Sequence, residues 1–381
     1  MKNQCLCLFS SAVFLFSCGP SATERPPTFS LVLEDSLVID QLEPRYLIDY
    51  DASKGKYLLS NESYYHYLEV DESGEILRKD SIPWDGPNAV SMILGMGYAD
   101  GKVALATDSK GFLFYENGNP VDQLSIPYAY TSFNFLPKLT LIPWKGGYLY
   151  PRFMAESELE GGFNEEFYSK TYSDPLFAFQ KEGDSLQFMV SLPEEAQFLD
   201  GQFHGSLVLV PYLNGNDFYL LDWIRPEILH YKDEGGEFVY QRTIILPLES
   251  WVGYDPVPMN QASSFYESYG KKMPGTVRDI FPIGAYFLVQ YQNGIAEDVF
   301  PKAKNESGRL DPEKIYQLNP PLLAVLDQNL TVLATGIELP GGVNGQLVVD
   351  KQGQLIAVKN PSLSSTEEEG LVLYRMKLKV D

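Results

Sequence analysis

Cysteine is scarce. The 381-residue chain has three, all within the first 18 residues, so the rest carries neither a disulfide framework nor a Cys metal site. Basic charge is short as well. Against 51 Asp+Glu there are 29 Lys+Arg, a formal net charge of −22, and a phosphate backbone needs a basic face, so no nucleic-acid partner is expected. The three histidines, His66, His204 and His230, are far apart and fit no His-Glu-x-x-His or similar metal spacing. Each reads as a surface or satisfied core residue. No Gly-x-Ser-x-Gly elbow is present, and Gly95-Met96-Gly97 with Asp100-Gly101-Lys102 misses the spacing of both glycine phosphate motifs. A calcium ion on channel carboxylates would be supported by an Asp-x-Asp-x-Asp-Gly loop, and none occurs, so no cofactor is expected. The acid pairs Glu165-Glu166 and Glu194-Glu195 and the run Glu367-Glu368-Glu369 read as solvated loop in a chain this acidic. After residue 45 no apolar 3.6-residue period is long enough to predict a helix.

What remains is apolar and aromatic. Hydrophobic content of 44% and aromatic content of 13% exclude wholesale disorder. With 25 Tyr, 22 Phe, 26 Pro and 31 Gly, the mixture favours many short strands over long helices. A short phrase recurs: LEVDESGEILRKDSIP at 68–83, FLFYENGNPVDQLSIP at 112–127, LFAFQKEGDSLQFMVSLP at 176–193, ILHYKDEGGEFVYQRTIILP at 228–247 and LLAVLDQNLTVLATGIELP at 322–340. Each is a strand, a polar turn, a second strand and a closing Pro, the pattern of a hairpin whose last residue gives no N–H to a ladder.

Inner hairpins precede these phrases at 46–60, 93–107, 139–153, 198–212 and 279–291, with a last one at 347–358. Their turn glycines are Gly55, Gly101, Gly146, Gly205, Gly284 and Gly353, spaced 45 to 79 residues apart. Four strands per repeat of about 45 residues or more is the pattern of an all-β propeller of four-stranded antiparallel blades. Six inner hairpins but only five complete outer ones leave the last unit, GLVLYRMKLKV at 370–380, one strand short. The segment FSLVLEDSLVIDQLEP at 29–44 supplies it, so the N-terminal strand is predicted to pair with the C-terminal blade and close six blades. Seven blades is the alternative, with extra strands in 248–276.

The N-terminus carries an address. Met1-Lys2, an apolar run at 5–16 and Leu15-Phe16-Ser17-Cys18-Gly19 make a secretory signal too short to span a membrane. Leu-x-Ser-Cys resembles the bacterial lipobox, apart from the bulky Phe16. On that resemblance residues 1–17 are a lipoprotein signal peptide, Cys18 is lipidated, 18–28 form a proline-rich tether and 29–381 form a single propeller domain. The acidic cluster that sends some Bacteroidota lipoproteins to the cell surface is missing after Cys18. The expected location is therefore the cell envelope, on the outer membrane facing the periplasm, with the bilayer as partner through Cys18.

Propeller connectivity puts the longest segments, 154–174, 248–275, 293–319 and 360–369, on one face. Long loops in a compact domain carry function more often than scaffold does, so a ligand or an envelope protein is expected there. The candidate binding residues are Trp84, Asp85, Tyr150, Arg152, Tyr212, Trp251, Arg278, Asp279 and Tyr291, with Tyr254 beside Trp251. Arg152 and Arg278 would suit a carboxylate or phosphate held by paired hydrogen bonds. They equally suit ties to neighbouring acids such as Asp279. The Trp and Tyr side chains would stack on a sugar or peptide, or pack between blades. No catalytic or metal-binding residue is assigned.

Lipobox, absent acidic cluster and six-fold NHL-like phrase together resemble the Bacteroidota lipoproteins of the domain-of-unknown-function 4221 type. That resemblance implies a six-bladed propeller on a lipid anchor and brings no catalytic residues. The first expectation is a non-catalytic binding lipoprotein. The alternatives are a propeller enzyme at the central channel, a metal-assisted lactonase-like hydrolase or a sugar lyase or hydrolase, and a structural subunit with an exposed apolar patch.

Overall fold

The computed structural model describes residues 27–381 except 87, 132–137, 182–185, 361–362 and 364–369, with backbone only at Ser268 and Asn344. Six four-stranded antiparallel sheets stand around an axis. The first is Tyr46–Asp51, Lys56–Ser60, His66–Asp71 and Ile76–Ser81, and the second runs from Ile93–Ala99 to Asn119–Leu124. The third, fourth and fifth start at Ile142–Trp144, Leu209–Asn214 and Met273–Ile283. In the sixth, Val343–Val349, Leu355–Lys359 and Leu371–Val380 are completed by Phe29–Ile39.

The closure expected from the sequence is present, residue by residue. Phe29 lies opposite Val380 and Ile39 opposite Leu371, with a bulge between Leu33 and Asp35. That bulge has a packing purpose. An extra residue flips which side of a strand faces inward. Before it, Leu31 packs with Phe281 and Val325 of the fifth blade. Beyond it, Leu37 and Ile39 pack with Leu47 and Tyr57 of the first. One strand therefore seals two blade interfaces.

Each interface between neighbouring blades holds its own core, so middle strands are buried on both sides and read as apolar runs. Tyr57, Leu58 and Leu59 are all fully buried, whereas the outer strand Ile76–Ser81 alternates between half-buried and exposed. The turns between first and second strands, and between third and fourth, are short and share one face. Several are built on an Asp: Oδ1 of Asp71 accepts from the N–H of Ser73 and Glu75, Asp327 from Asn329 and Thr331, and Asp350 from Gln352 and Gln354, all at 2.8–2.9 Å.

Two expectations are corrected. The inner hairpin of the fourth blade is not 198–212 around Gly205. It is Leu209–Asn214 with Asp217–Asp222, turning at Gly215 with φ +61°. The Asn214-Gly215 pair carries the hairpin signal there. Gly205 serves another purpose. Its φ is +96°, and a Cβ there would meet the Phe265 ring at 2.8 Å, so the chain passes close under an aromatic layer. Helices also occur where none was predicted, in α1 (Glu165–Ser173), α2 (Ala262–Phe265) and α3 (Pro312–Leu318). The sequence marks two of these with caps rather than periodicity: Asn164 accepts from the Phe167 N–H at 3.0 Å, and Asp311 caps a start with Pro312 at the first position. The stretch 248–272 contains the two-residue strand Val257–Pro258, short helical turns and α2, and no seventh blade. Among the described residues no helix is long and apolar enough to cross a membrane.

Candidate functional site

The long insertions share the face opposite the short turns. They are tied to one another by two-residue sheets, Tyr130–Thr131 with Met154–Ala155 and Gln202–Phe203 with Val257–Pro258. Under them, over the inner strands of the second to fourth blades, lies a cavity of about 430 Å³. Its walls are mostly apolar, with Leu94, Phe112, Phe153, Phe167, Leu176 and Phe203 among them. Thr131, Thr140, Thr171 and Ser206 add hydroxyls, and Tyr266 stands at its edge. That volume and that mixture are typical of small-molecule sites.

Lys138 also lines the cavity. Its Nζ lies 3.1 Å from Asp279 Oδ2, and Asp49 faces it from the first blade. Both carboxylates follow a bulge in an inner strand, Leu47/Asp49 and Val277/Asp279, and the extra residue aims them inward. Burial pushes the Asp49 carboxyl up despite Lys138, and the N–H groups of Tyr98 and Tyr50, each at 2.8 Å, offset part of that. Burial would depress the Lys138 ammonium, but Asp279 and Asp49 outweigh it and hold the amine above its ordinary value. Gly97 permits the arrangement, since a Cβ there would sit 2.7 Å from Leu139 Cβ and 2.9 Å from Asp49 Oδ2.

The predicted binding residues scatter. Arg152 lines the cavity, but its guanidinium is taken: NH1 donates to both Glu158 oxygens at 2.9 and 3.1 Å, and NH2 to Asp174 at 3.3 Å. Arg278 lies over the Trp223 ring, 4.7 Å from its centroid, and donates to Gln292 Oε1 at 3.2 Å. Its side chain is exposed, yet partial desolvation by the surrounding protein pulls the guanidinium down to about 10. Asp279 pairs with Lys138 and not with Arg278. Tyr150 and Tyr291 are buried, their hydroxyls bonded to Gln180 Oε1 (2.7 Å) and the Gly336 N–H (2.8 Å). Half-buried Tyr212 lies nearly parallel to Tyr219, ring centroids 6.2 Å apart. Half-buried Trp251 packs against Gly275, whose absent Cβ would come within 2.7 Å of the indole. Tyr254 packs on Phe265 at 4.8 Å. Trp84 is 78% exposed, and Asp85 beside it is exposed too. Of the nine, Arg152 is the one that lines the cavity. Cys18, the signal sequence and Glu367-Glu368-Glu369 lie outside the described residues.

The histidines are occupied or peripheral. His204 Nδ1 is 2.8 Å from Arg225 NH2, which can only donate, so the ring proton sits on Nε2, 3.0 Å from Asp200 Oδ1. His230 Nε2 is 2.8 Å from Asp217 Oδ1, and His66 is exposed on a strand. Among the described residues no group of three or more His, Cys, Asp or Glu could hold a metal ion.

Sequence reasoning missed Lys138, Asp49 and the hydroxyl-bearing wall. Asp49 left a trace, an acid inside the apolar run Tyr46-Leu47-Ile48-Asp49-Tyr50. Lys138 left none, because its position depends on where a connecting segment meets the axis.

No family model and no curated protein matches the chain. Solved structures do match it. A member of the domain-of-unknown-function 4221 family from Bacteroides vulgatus superposes with a TM-score of 0.63 at 13% identity, over 92% of this chain and 98% of that one. A putative exported protein from Bacteroides fragilis gives 0.48 at 11%, over 93% and 96%. A gluconolactonase from Xanthomonas campestris gives 0.42 at 10%, over 91% and 99%. At such identities it is the fold that is shared: this chain has the six-bladed propeller of the Bacteroides vulgatus protein.

Proposed function

We propose that the chain is an envelope lipoprotein, anchored through Cys18 to the outer membrane on its periplasmic side, whose propeller binds a small molecule in the cavity of the insertion face without transforming it. The cavity carries this reading. It is enclosed by insertions from several blades. Among the described residues no carboxylate, imidazole or thiol lines it, and its one amine, Lys138, is held by Asp279, so its Ser and Thr hydroxyls have no imidazole or carboxylate in the wall to activate them. The address rests on the lipobox-like Leu15-Phe16-Ser17-Cys18.

Two measurements test it. Metabolic labelling with palmitate should mark the wild-type chain and not Cys18→Ala; an unlabelled wild type refutes the anchor. For the cavity, residues 27–381, which carry every strand of the closed ring, should bind the fluorophore N-phenyl-1-naphthylamine, and Met154→Trp, which places an indole in the wall, should abolish binding. No binding, or binding indifferent to Met154→Trp, ends the small-molecule reading.

A further inference from the structure

The chemistry of the wall narrows the ligand, given the small-molecule reading above. Two cations line the cavity, and both are already paired with carboxylates. Arg152 has Glu158 on one side of its guanidinium and Asp174 on the other. Lys138 has Asp279 in contact and Asp49 close by. An anionic ligand would meet two carboxylates beside each cation, and drawing either cation away would leave them unpaired, which is costly. A cationic ligand finds no carboxylate among the described residues of the lining.

The remaining polar groups are hydroxyls. Ser206 Oγ and Tyr266 OH are 2.8 Å apart, and the Ser206 N–H donates to that same phenol at 3.2 Å. Thr171 Oγ1 donates to the Tyr168 carbonyl at 2.8 Å, which leaves its oxygen lone pairs. Such groups exchange one or two hydrogen bonds with a neutral partner at little cost.

The apolar surface is made of rings set at angles to one another. Tyr168 and Phe203 meet at 4.5 Å and 58°, and Phe203 and Tyr266 at 6.1 Å and 66°. Phe163, 61% exposed, and Tyr266, 40% exposed, stand at the edge of the cavity. Flat faces and positive ring edges suit another ring, which finds both offset and edge-on contacts there.

We propose that this cavity takes an uncharged, ring-bearing molecule with one or two hydroxyl or carbonyl groups, held by the aromatic wall and oriented by Ser206, Tyr266 and Thr171. The internal ion pairs of Arg152 and Lys138 act as the filter against charge.

The test uses two probes with one ring skeleton, N-phenyl-1-naphthylamine and its sulfonated counterpart 8-anilino-1-naphthalenesulfonate, titrated into residues 27–381. The neutral probe should bind at least ten-fold more tightly, with both signals lost in Met154→Trp and, should that variant misfold, in Thr171→Trp. Glu158→Gln, which releases one side of Arg152, should bring the sulfonate several-fold closer. A straight-chain alcohol, 1-decanol, should compete weakly. Sulfonate binding as tight as that of the neutral probe, or unmoved by Glu158→Gln, overturns the charge filter while small-molecule binding stands. Equal competition by decanol overturns the requirement for a ring. Failure of both probes to bind in the cavity removes the small-molecule reading itself.

Discussion

The first and second blades differ from the third, fourth and fifth in one respect: what happens between their strands. The first two are joined by short turns and look like a minimal repeat. The next three carry α1, α2, α3 and the two small tie sheets, all on one face. All six blades contribute to the ring alike, because every blade must bury both of its sides against neighbours. The cavity is covered by the insertions of the loaded half, although Leu94, Ala106 and Phe112 of the second blade also line it. Scaffold and site are therefore separable, and substitutions should fall into two groups.

The largest effect should come from the closing strand, which belongs to the scaffold. Removing residues 29–39 uncovers the long edge of Leu371–Val380 and opens two interface cores at once. The product should be insoluble or lack a cooperative thermal transition in calorimetry. A soluble, cooperatively folding deletion would show that the ring does not depend on this strand.

Next is Asp222, at the end of the second strand of the fourth blade. It is 5% exposed, and neither carboxylate oxygen has a well-formed hydrogen bond among the described residues. Burial pushes it from 3.8 up to about 7, while Arg225 and the nearby N–H groups of Val208 and Ile224 pull back. The folded state holds this proton where the unfolded chain has lost it, so stability falls as pH rises from about 4 to 7 and levels off above that. Asp222→Asn should remove this dependence, and by linkage the gap between variant and wild type should widen by on the order of 4 kcal/mol from pH 4 to pH 8. Denaturant titrations at both pH values measure it, and a gap independent of pH refutes the assignment.

Lys138 joins the two halves. Lys138→Met leaves Asp49 and Asp279 facing each other across the axis. Because the Lys138 side chain keeps 44% of its exposure, solvent screening limits the cost to about 1–3 kcal/mol. Adding Asp279→Asn should recover part of it in the same denaturant assay. No recovery would mean that the pair does not act as a unit.

The smallest effect should be Asn164→Ala, which removes the α1 cap and costs about 1 kcal/mol. Amide exchange should quicken in α1 and stay unchanged in the first blade. Spread of the effect into that blade would deny the separation of halves.

The ring was legible because its cause is periodic. Two-sided burial writes apolar runs into the middle strands, and the Asp and Gly turns punctuate them, so blade number and closure follow from counting. The fourth blade misled because Phe198 and Phe203, apolar enough for a strand, belong to the aromatic layer under the insertions. The site was less legible for the same reason. Arg152 was conspicuous by its charge, yet Glu158 and Asp174 hold it. The cavity wall joins blade residues such as Leu94 and Phe112 to residues of insertions whose paths follow no repeat.

The polarity of the closing strand decides from which side the chain enters the domain. Phe29 meets the Tyr286 ring beside the short turn at Gly284, and Thr28 exchanges backbone hydrogen bonds with the terminal Asp381. The polypeptide therefore joins the disc from its plain underside. A lipid on Cys18, as proposed above, would therefore tether the domain from that underside, about ten residues upstream of the closing strand.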